Sequence, residues 1–342
     1  MRNTDITLVF QGAFKPYVTR DGDWYAQNIR AVRRVLPGAK IILSTWKGTE
    51  IPASLAVDDV VFSTDPGGLA PLKLDDDKAN NVNRQLVSTA AGLAAVTTSH
   101  AVKIRTDCSL HHAGFLDFYG EQVKLDMGHE RLLACSFFTL DPTVFECVPF
   151  HLSDWFHFGR TEMLQAYWSA APLTGEQARF YERNRHVTGS SFFEKKFRAK
   201  FAAEQHICSH YARLRGYHCP QFLNDASADV MHDYYRFLGT EVILLDPWQI
   251  GLNFKKYDWV GGSLFQCMNN LMHLDWLQIA GQQFSAGAEV AGLQKLIAER
   301  ARKKEIVRAG FRLSRSLHPF LFDPKRGGGG MRRAAHRVLR FL

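Results

Sequence analysis

The chain of 342 residues is 46% hydrophobic and 12% aromatic, which is enough apolar material for one large α/β domain with additions or for two domains and excludes disorder over most of its length. Its net charge of +8 is unevenly placed: residues 295–342 hold 14 Lys and Arg against 3 Asp and Glu, whereas residues 1–294 hold 28 against 31. A body this close to neutral argues against a nucleic-acid-binding surface, and six cysteines with no CxxC and no regular spacing argue against a disulfide framework.

The first 110 residues alternate strand and helix. "ITLVF" (6–10) is a short apolar run ended by Gln11-Gly12. A helix follows from about Asp23 to Leu36, with Tyr25, Ile29, Val32 and Leu36 on one stripe, and Pro37-Gly38 stops it. "KIILSTW" (40–46) and "DVVFSTD" (59–65) are further strands, the second leading into the loop "PGGLAPL". A long helix runs from Asn80 to Val96 with Val82, Leu86, Leu93 and Val96 on its buried side. "AVKIRTDCSLHH" (101–112) then alternates Val102, Ile104 and Thr106 with Lys103, Arg105 and Asp107, which places the charges on one strand face. Strand, helix and strand at this spacing predict a mostly parallel sheet with helices over both faces, so this strand is read as a central one carrying charge to a ligand.

Beyond Leu116 the pattern loosens. "RLLACSFFTLDP" (131–142) reads as a buried strand with a turn, 154–170 as a strand or loop entering a helix, Phe192–Leu214 as mostly helical, Ala228–Leu238 as a shorter helix and "TEVILLDP" (240–247) as a late strand. Residues 286–316 form a basic helix, and "PKRGGGG" (324–330) is a linker. In "MRRAAHRVLRFL" (331–342) a helix would put Met331, Ala334, Ala335, Val338, Leu339 and Leu342 on one side, with Arg332, Arg333, Arg337 and Arg340 off it. That form rests on an anionic bilayer surface; docking against the protein's own body is the alternative. Asp5 precedes any apolar run, no signal-peptide core follows, and no stretch reaches the ~20 apolar residues of a membrane span. The expectation is a cytoplasmic protein, peripheral on the inner face of the cytoplasmic membrane.

Ligands of open α/β sheets sit outside the carboxyl ends of the strands. Four such ends finish in polar or small residues: Gln11-Gly12, Ser44-Thr45-Trp46, Ser63-Thr64-Asp65 and Arg105-Thr106-Asp107. Asp107 suits a divalent cation or a ribose hydroxyl, and Lys103 with Arg105 suits a diphosphate; a structural Arg105–Asp107 ion pair is the alternative. Asn81, Arg84 and Ser88 form a polar stripe on the 80–96 helix, for which a solvated face is the plain reading. Asp154, in "LSDWFHFG", and Glu204, in "FAAEQHICSHY", are candidate bases for an acceptor hydroxyl, or else a cap and a surface charge. The His/Cys run at 206–219 fits no common zinc spacing.

"VFQGAF", "VLPGAKIILSTWKG", "NNVNRQLVSTAAGL" and "AVKIRTDCSL" occur in an order and spacing that resemble the WavE family of lipopolysaccharide-synthesis proteins. The resemblance covers residues 5–115 well and continues more weakly through "AEQHI" and "ILLDPWQIGLNFKKY" to about 257. It implies a GT-A-like nucleotide-diphospho-sugar-transferase fold, α/β with a Rossmann-like, mostly parallel sheet and helical C-terminal additions. It also implies transfer of a sugar from a nucleotide-sugar donor to a lipopolysaccharide or related cell-surface glycan. On that reading Gln11, Gly12, Thr45 and Trp46 border the nucleotide, and Arg84, Lys103 and Arg105 face the diphosphate. Asp107 takes the place of the metal-binding Asp of a DxD motif, Glu204 lies on the acceptor side, and His232 is a distant extra metal ligand. A full DxD offers two carboxylates and "RTDC" offers one. A Mg²⁺ or Mn²⁺ ion on Asp107 and a metal-free site served by Lys and Arg therefore both stay open.

The division expected is a nucleotide-sugar-binding half (1–115), an acceptor-side half of the same catalytic domain (116–285), a basic helical extension (286–323) and a Gly-rich linker with an amphipathic tail (324–342). "FQGAFKP" lacks the G-x-G-x-x-G of a nicotinamide dehydrogenase. A catalytically inactive glycan- and membrane-binding scaffold is the competing reading.

Overall fold

The structure, a computed structural model, describes residues 1–14, 18–19, 22–254, 264–281 and 288–323. The linker and the amphipathic tail expected at 324–342 lie outside the described residues, as do residues 255–257 of the late segment.

Seven strands form one sheet: β1 (Ile6–Gln11), β2 (Lys40–Trp46), β3 (Asp59–Ser63), β4 (His100–Arg105), β5 (Leu132–Cys135), β6 (Phe156–Arg160) and β7 (Val242–Leu245). Their order is β7-β5-β6-β4-β1-β2-β3. All neighbours run parallel except β6, which is antiparallel to both β4 and β5. This is the mostly parallel α/β sheet expected. β4 lies between β1 and β6, and His100–Ile104 are buried on it, so the alternating strand is central.

The helices follow from apolar spacing. α1 (Trp24–Val35) buries Ile29 and Val32 and stops before Pro37-Gly38. α2 (Val82–Ala94) buries Val82, Leu86 and Leu93. Gly92 lets it approach the sheet closely: a Cβ there would lie 2.5 Å from Val9 Cγ1 and 2.8 Å from Ser44 Cβ. On the opposite face α3 (Gly114–Leu125) sets Phe115 edge-on to Phe156 and Phe158, each at 5.1 Å.

The second half departs from the sequence reading in places. Only Leu132–Cys135 of the 131–142 run is strand. Residues 156–160 are strand, followed by a short helix, α4 (Thr161–Tyr167). Within 192–214 only a 3₁₀ turn (Glu194–Lys196) and α5 (Ala203–Leu214) are helical. Between them, Arg198 N–H donates to Leu72 and its carbonyl accepts from Tyr181 N–H. The backbone there bonds to neighbouring loops instead of its own next turn, which overrides local propensity.

α6 (Ala228–Thr240) precedes β7, and α7 (Ala288–Leu313) is followed by a 3₁₀ turn (Arg315–Leu317) and a last short helix (His318–Phe322). α7 is less solvated than its charge suggests. Lys304, 2% exposed, lies 2.8 Å from Asp141 and 2.9 Å from Asp275; Arg300 pairs with Asp275 and Arg308 with Asp141. Val307 packs with Val144, Phe145 and Met268. No helix among the described residues is long and apolar enough to cross a membrane.

Candidate active site

Register brings the site together. Gln11 stands opposite both Ser44 and Arg105, so the three side chains share the sheet face under α2. Gln11 Nε2 donates to Ser88 Oγ (2.9 Å), Ser88 Oγ to the Arg84 carbonyl (2.7 Å), and Ser44 Oγ to the Ser88 carbonyl (2.6 Å). Ser88 is fully buried. Ser88 therefore faces the sheet, and the half-buried Arg84 and exposed Asn81 of the same stripe lie toward its carboxyl edge.

A cavity of about 370 Å³ opens at that edge. All four strand ends singled out in the sequence contribute: Gln11 and Gly12 from β1, Trp46 from β2, Asp65 after β3, and Arg105, Thr106 and Asp107 from the end of β4. Asn81 and Arg84 enter from α2, Tyr25 from α1 and Asp154 from the approach to β6. Gly12 has φ +127°, and a Cβ on it would meet Thr106 Oγ1 at 3.2 Å, so a side chain would both strain the turn and narrow the cavity.

Each arginine faces carboxylate. Arg84 binds Asp65 through two bonds of 2.8 Å and Asn81 Oδ1 through a third of 2.9 Å. The bond from Arg84 holds the Asp65 carboxyl below its ordinary range. Arg105 donates to both oxygens of Asp107 at 2.9 and 2.8 Å and lies 3.6 Å from Asp154 Oδ1. Burial works against the Arg105 charge, but Asp154 and Asp107 outweigh it and raise its pKa well above the ordinary value. Asp154 is 2% exposed, and neither carboxylate oxygen has a hydrogen-bond partner among the described residues. Among the lining side chains three carboxylates face two guanidiniums.

Four residues named from sequence stand elsewhere. Thr45 is buried on the reverse face of β2, its Oγ1 without a hydrogen-bond partner among the described residues, and does not line the cavity. Lys103 is fully buried behind it, donating to the Asp154 carbonyl with its ammonium 4.6 Å from the Trp168 ring centroid. Burial lowers its pKa to about 8, a fall that Asp154 partly offsets. Glu204, near the start of α5, pairs with His151 at 3.3 Å. Burial favours its neutral form, but His151 prevails and takes the Glu204 pKa to about 2. His151 Nδ1 donates to the Phe138 carbonyl at 2.8 Å. His232 is exposed on α6.

Within 206–219, His206 bonds the Ala171 carbonyl, His210 bonds Ser169 and His218 bonds Asp233. Among the described residues no three His, Cys, Asp or Glu side chains come together to hold a metal. Sequence reasoning missed His151, which acts from a loop without periodicity, and Trp168, which caps the end of α4. It also missed Tyr25, whose place on the helical stripe reads as core.

Solved structures of similar shape include an active-site mutant of LgtC (TM-score 0.33, 9% identity, 84% of this chain and 99% of that one). A cytidylyltransferase from Leptospira borgpetersenii matches with TM-score 0.31 and 12% identity, over 69% of this chain and 96% of that one. The 4-diphosphocytidyl-2C-methyl-D-erythritol synthase of Anaerococcus prevotii gives 0.30 and 14%, over 61% and 96%. No curated protein matches the chain. The profile for WavE lipopolysaccharide synthesis matches residues 6–308, beyond the limit near 257 set by the sequence motifs and well into α7; the chain belongs to the WavE lipopolysaccharide synthesis family.

Proposed function

We propose that the protein is a glycosyltransferase that moves a sugar from a nucleotide-sugar donor to a lipopolysaccharide or related cell-surface glycan. The observation that carries this reading is the carboxyl-edge cavity, where Arg105 stands between Asp107 and an Asp154 whose oxygens have no hydrogen-bond partner among the described residues. Residues 1–115 form the donor half and residues 116–285 the acceptor half of one catalytic domain. The basic tail seats the chain on an anionic inner-membrane surface.

In the reaction an acceptor hydroxyl oxygen bonds to the anomeric carbon of the donor, and the bond from that carbon to the diphosphate breaks. Asp154 takes the hydroxyl proton. It lines the cavity and has unused acceptor capacity, whereas Glu204, held near pKa 2 by His151, is a weak base at neutral pH. Arg105 and Arg84 face the charge that develops on the departing diphosphate. Gln11, Gly12 and Trp46 border the nucleotide. Lys103 fixes the Asp154 backbone from behind.

Charge balance leaves room for a divalent cation, although both Asp107 oxygens accept from Arg105 before a donor enters. With three carboxylates against two guanidiniums at the cavity, a diphosphate entering alone meets excess negative charge. Asp107 would hold the cation together with donor phosphates. When bound, such an ion neutralises leaving-group charge.

A thermal-shift screen of nucleotide sugars, with and without Mn²⁺, tests the proposal. One nucleotide sugar is expected to raise the melting temperature by mass action, and more so with Mn²⁺. No shift with any donor in either condition overturns the catalytic reading and favours the scaffold.

A further inference from the structure

A second cavity, of about 330 Å³, shares none of the first one's lining residues. Its walls come from the connection between β5 and β6, from loop 187–194 and from the end of α7. Because β6 runs against β5, that connection begins and ends at the sheet edge bearing the first cavity. It supplies Asp154 to one cavity and Phe145 to the other.

One wall is pre-arranged. Glu194, 5% exposed, accepts from Cys147 N–H (2.9 Å), Ser191 N–H (2.7 Å) and Asn224 Nδ2 (3.0 Å). Asn224 Nδ2 also donates to Ser190 Oγ at 2.8 Å. Asn224 itself is 9% exposed, and its Oδ1 is buried with no hydrogen-bond partner among the described residues. A buried amide oxygen on a cavity wall is costly unless something supplies a donor, and a saccharide hydroxyl is such a donor.

The rest of the lining suits the same chemistry. Phe145 and Phe311 meet edge-on at 5.0 Å and give an apolar side for the C–H face of a pyranose ring. Arg312, exposed at the rim, forms no ion pair among the described residues, and Arg315 reaches across to donate to the Gly189 carbonyl. Two guanidiniums beside a cleft with this apolar side match a sugar bearing phosphate or carboxylate.

We propose that this cleft is a remote subsite for an anionic saccharide unit of the acceptor glycan. The glycan runs from it along the β5–β6 connection, so that its growing end meets Asp154. The proposal rests on the glycosyltransferase reading and names the acceptor's chemical class.

Calorimetric titration of the full chain tests it. The probes are a deacylated, phosphorylated lipopolysaccharide core oligosaccharide, its dephosphorylated form and inorganic phosphate. The variants are Arg312→Gln/Arg315→Gln, and Thr188→Trp, which fills the exposed rim. The phosphorylated oligosaccharide is expected to bind the wild type and to bind each variant at least tenfold more weakly. The dephosphorylated form should also bind the wild type more weakly, and the nucleotide-sugar melting shift should be unchanged in both variants. Equal binding to wild type and variants, no binding to the wild type, or inorganic phosphate binding as tightly as the oligosaccharide would overturn the subsite. Loss of the nucleotide-sugar shift in the wild type would instead sink the transferase reading, whatever the oligosaccharide does.

Discussion

Asp154 and Lys103 show how one peptide can serve two environments. The Asp154 carboxylate lines the cavity, while its carbonyl is held from behind by the buried Lys103 ammonium. Asp154→Asn keeps the shape and removes the proton acceptor. Turnover is expected to fall by about 10²- to 10⁴-fold, the usual worth of a positioned base, with the nucleotide-sugar melting shift retained. Normal turnover in that variant would move the base elsewhere. Lys103 makes a separate prediction. Its pKa falls from 10.5 to about 8 in the folded chain, so between those values the unfolded chain binds more protons and stability rises with pH. Urea unfolding at pH 7.5 and pH 10 should show the wild type gaining on Lys103→Met; a constant difference would mean that Lys103 does not titrate there. The strand-end residues were legible because position at the carboxyl edge follows from strand order. The pairing of Glu204 with His151 was not, since a loop histidine has no periodicity to announce its partner.

At the scale of elements, α2 ties the sheet to the donor side. Its buried stripe sits on β1 and β2, and its first turn brings Asn81 and Arg84 to the cavity. Gly92→Ala pushes a methyl group into Val9 and Ser44. A loss of about 1–3 kcal/mol is expected from overpacking, measured by urea unfolding, with a smaller nucleotide-sugar shift as the helix start is displaced. An unchanged shift would separate α2 from donor binding. The four main-sheet strands and two α-helices of the first 110 residues were legible to within about two residues because their apolar periods are clean, whereas the two-residue strands Val18–Thr19, Gly22–Asp23 and Ser109–Leu110 were not read. The reversal of β6 was hidden, because strand direction depends on where a connection leads and not on the residues of the strand. The helix read across 192–202 failed because that backbone finds its partners in other loops.

Across the whole molecule, the basic C-terminal region divides into a docked part and a part beyond residue 323. Lys304→Ala removes the one ammonium shared by Asp141 and Asp275 in a buried site, leaving Arg308 on the first and Arg300 on the second. Breaking such a pair costs about 3–5 kcal/mol, to be read as a lower urea midpoint together with faster proteolysis within 288–313. Deleting 324–342 should abolish binding to phosphatidylglycerol vesicles while leaving the nucleotide-sugar shift intact. Vesicle binding that survives the deletion would place the membrane contact elsewhere. Charge by sequence position distinguished tail from body, but it could not tell a docked cation from a solvated one, because the carboxylates that receive Lys304 lie at positions 141 and 275.

Buried Lys304 also works as an index mark on a screw. An entirely apolar seam would let α7 rotate or slip by a turn at modest cost, whereas one ammonium that must meet Asp141 and Asp275 admits a single setting. Arg312 lies farther along the same helix, so its azimuth is set by that mark. One residue gained or lost between the two swings it by about 100° and carries its charge off the rim of the second cleft. The stretch from Lys304 to Arg312 is therefore a fixed dimension of the protein, and the start of α7, which holds neither the mark nor the rim, is free to change in length.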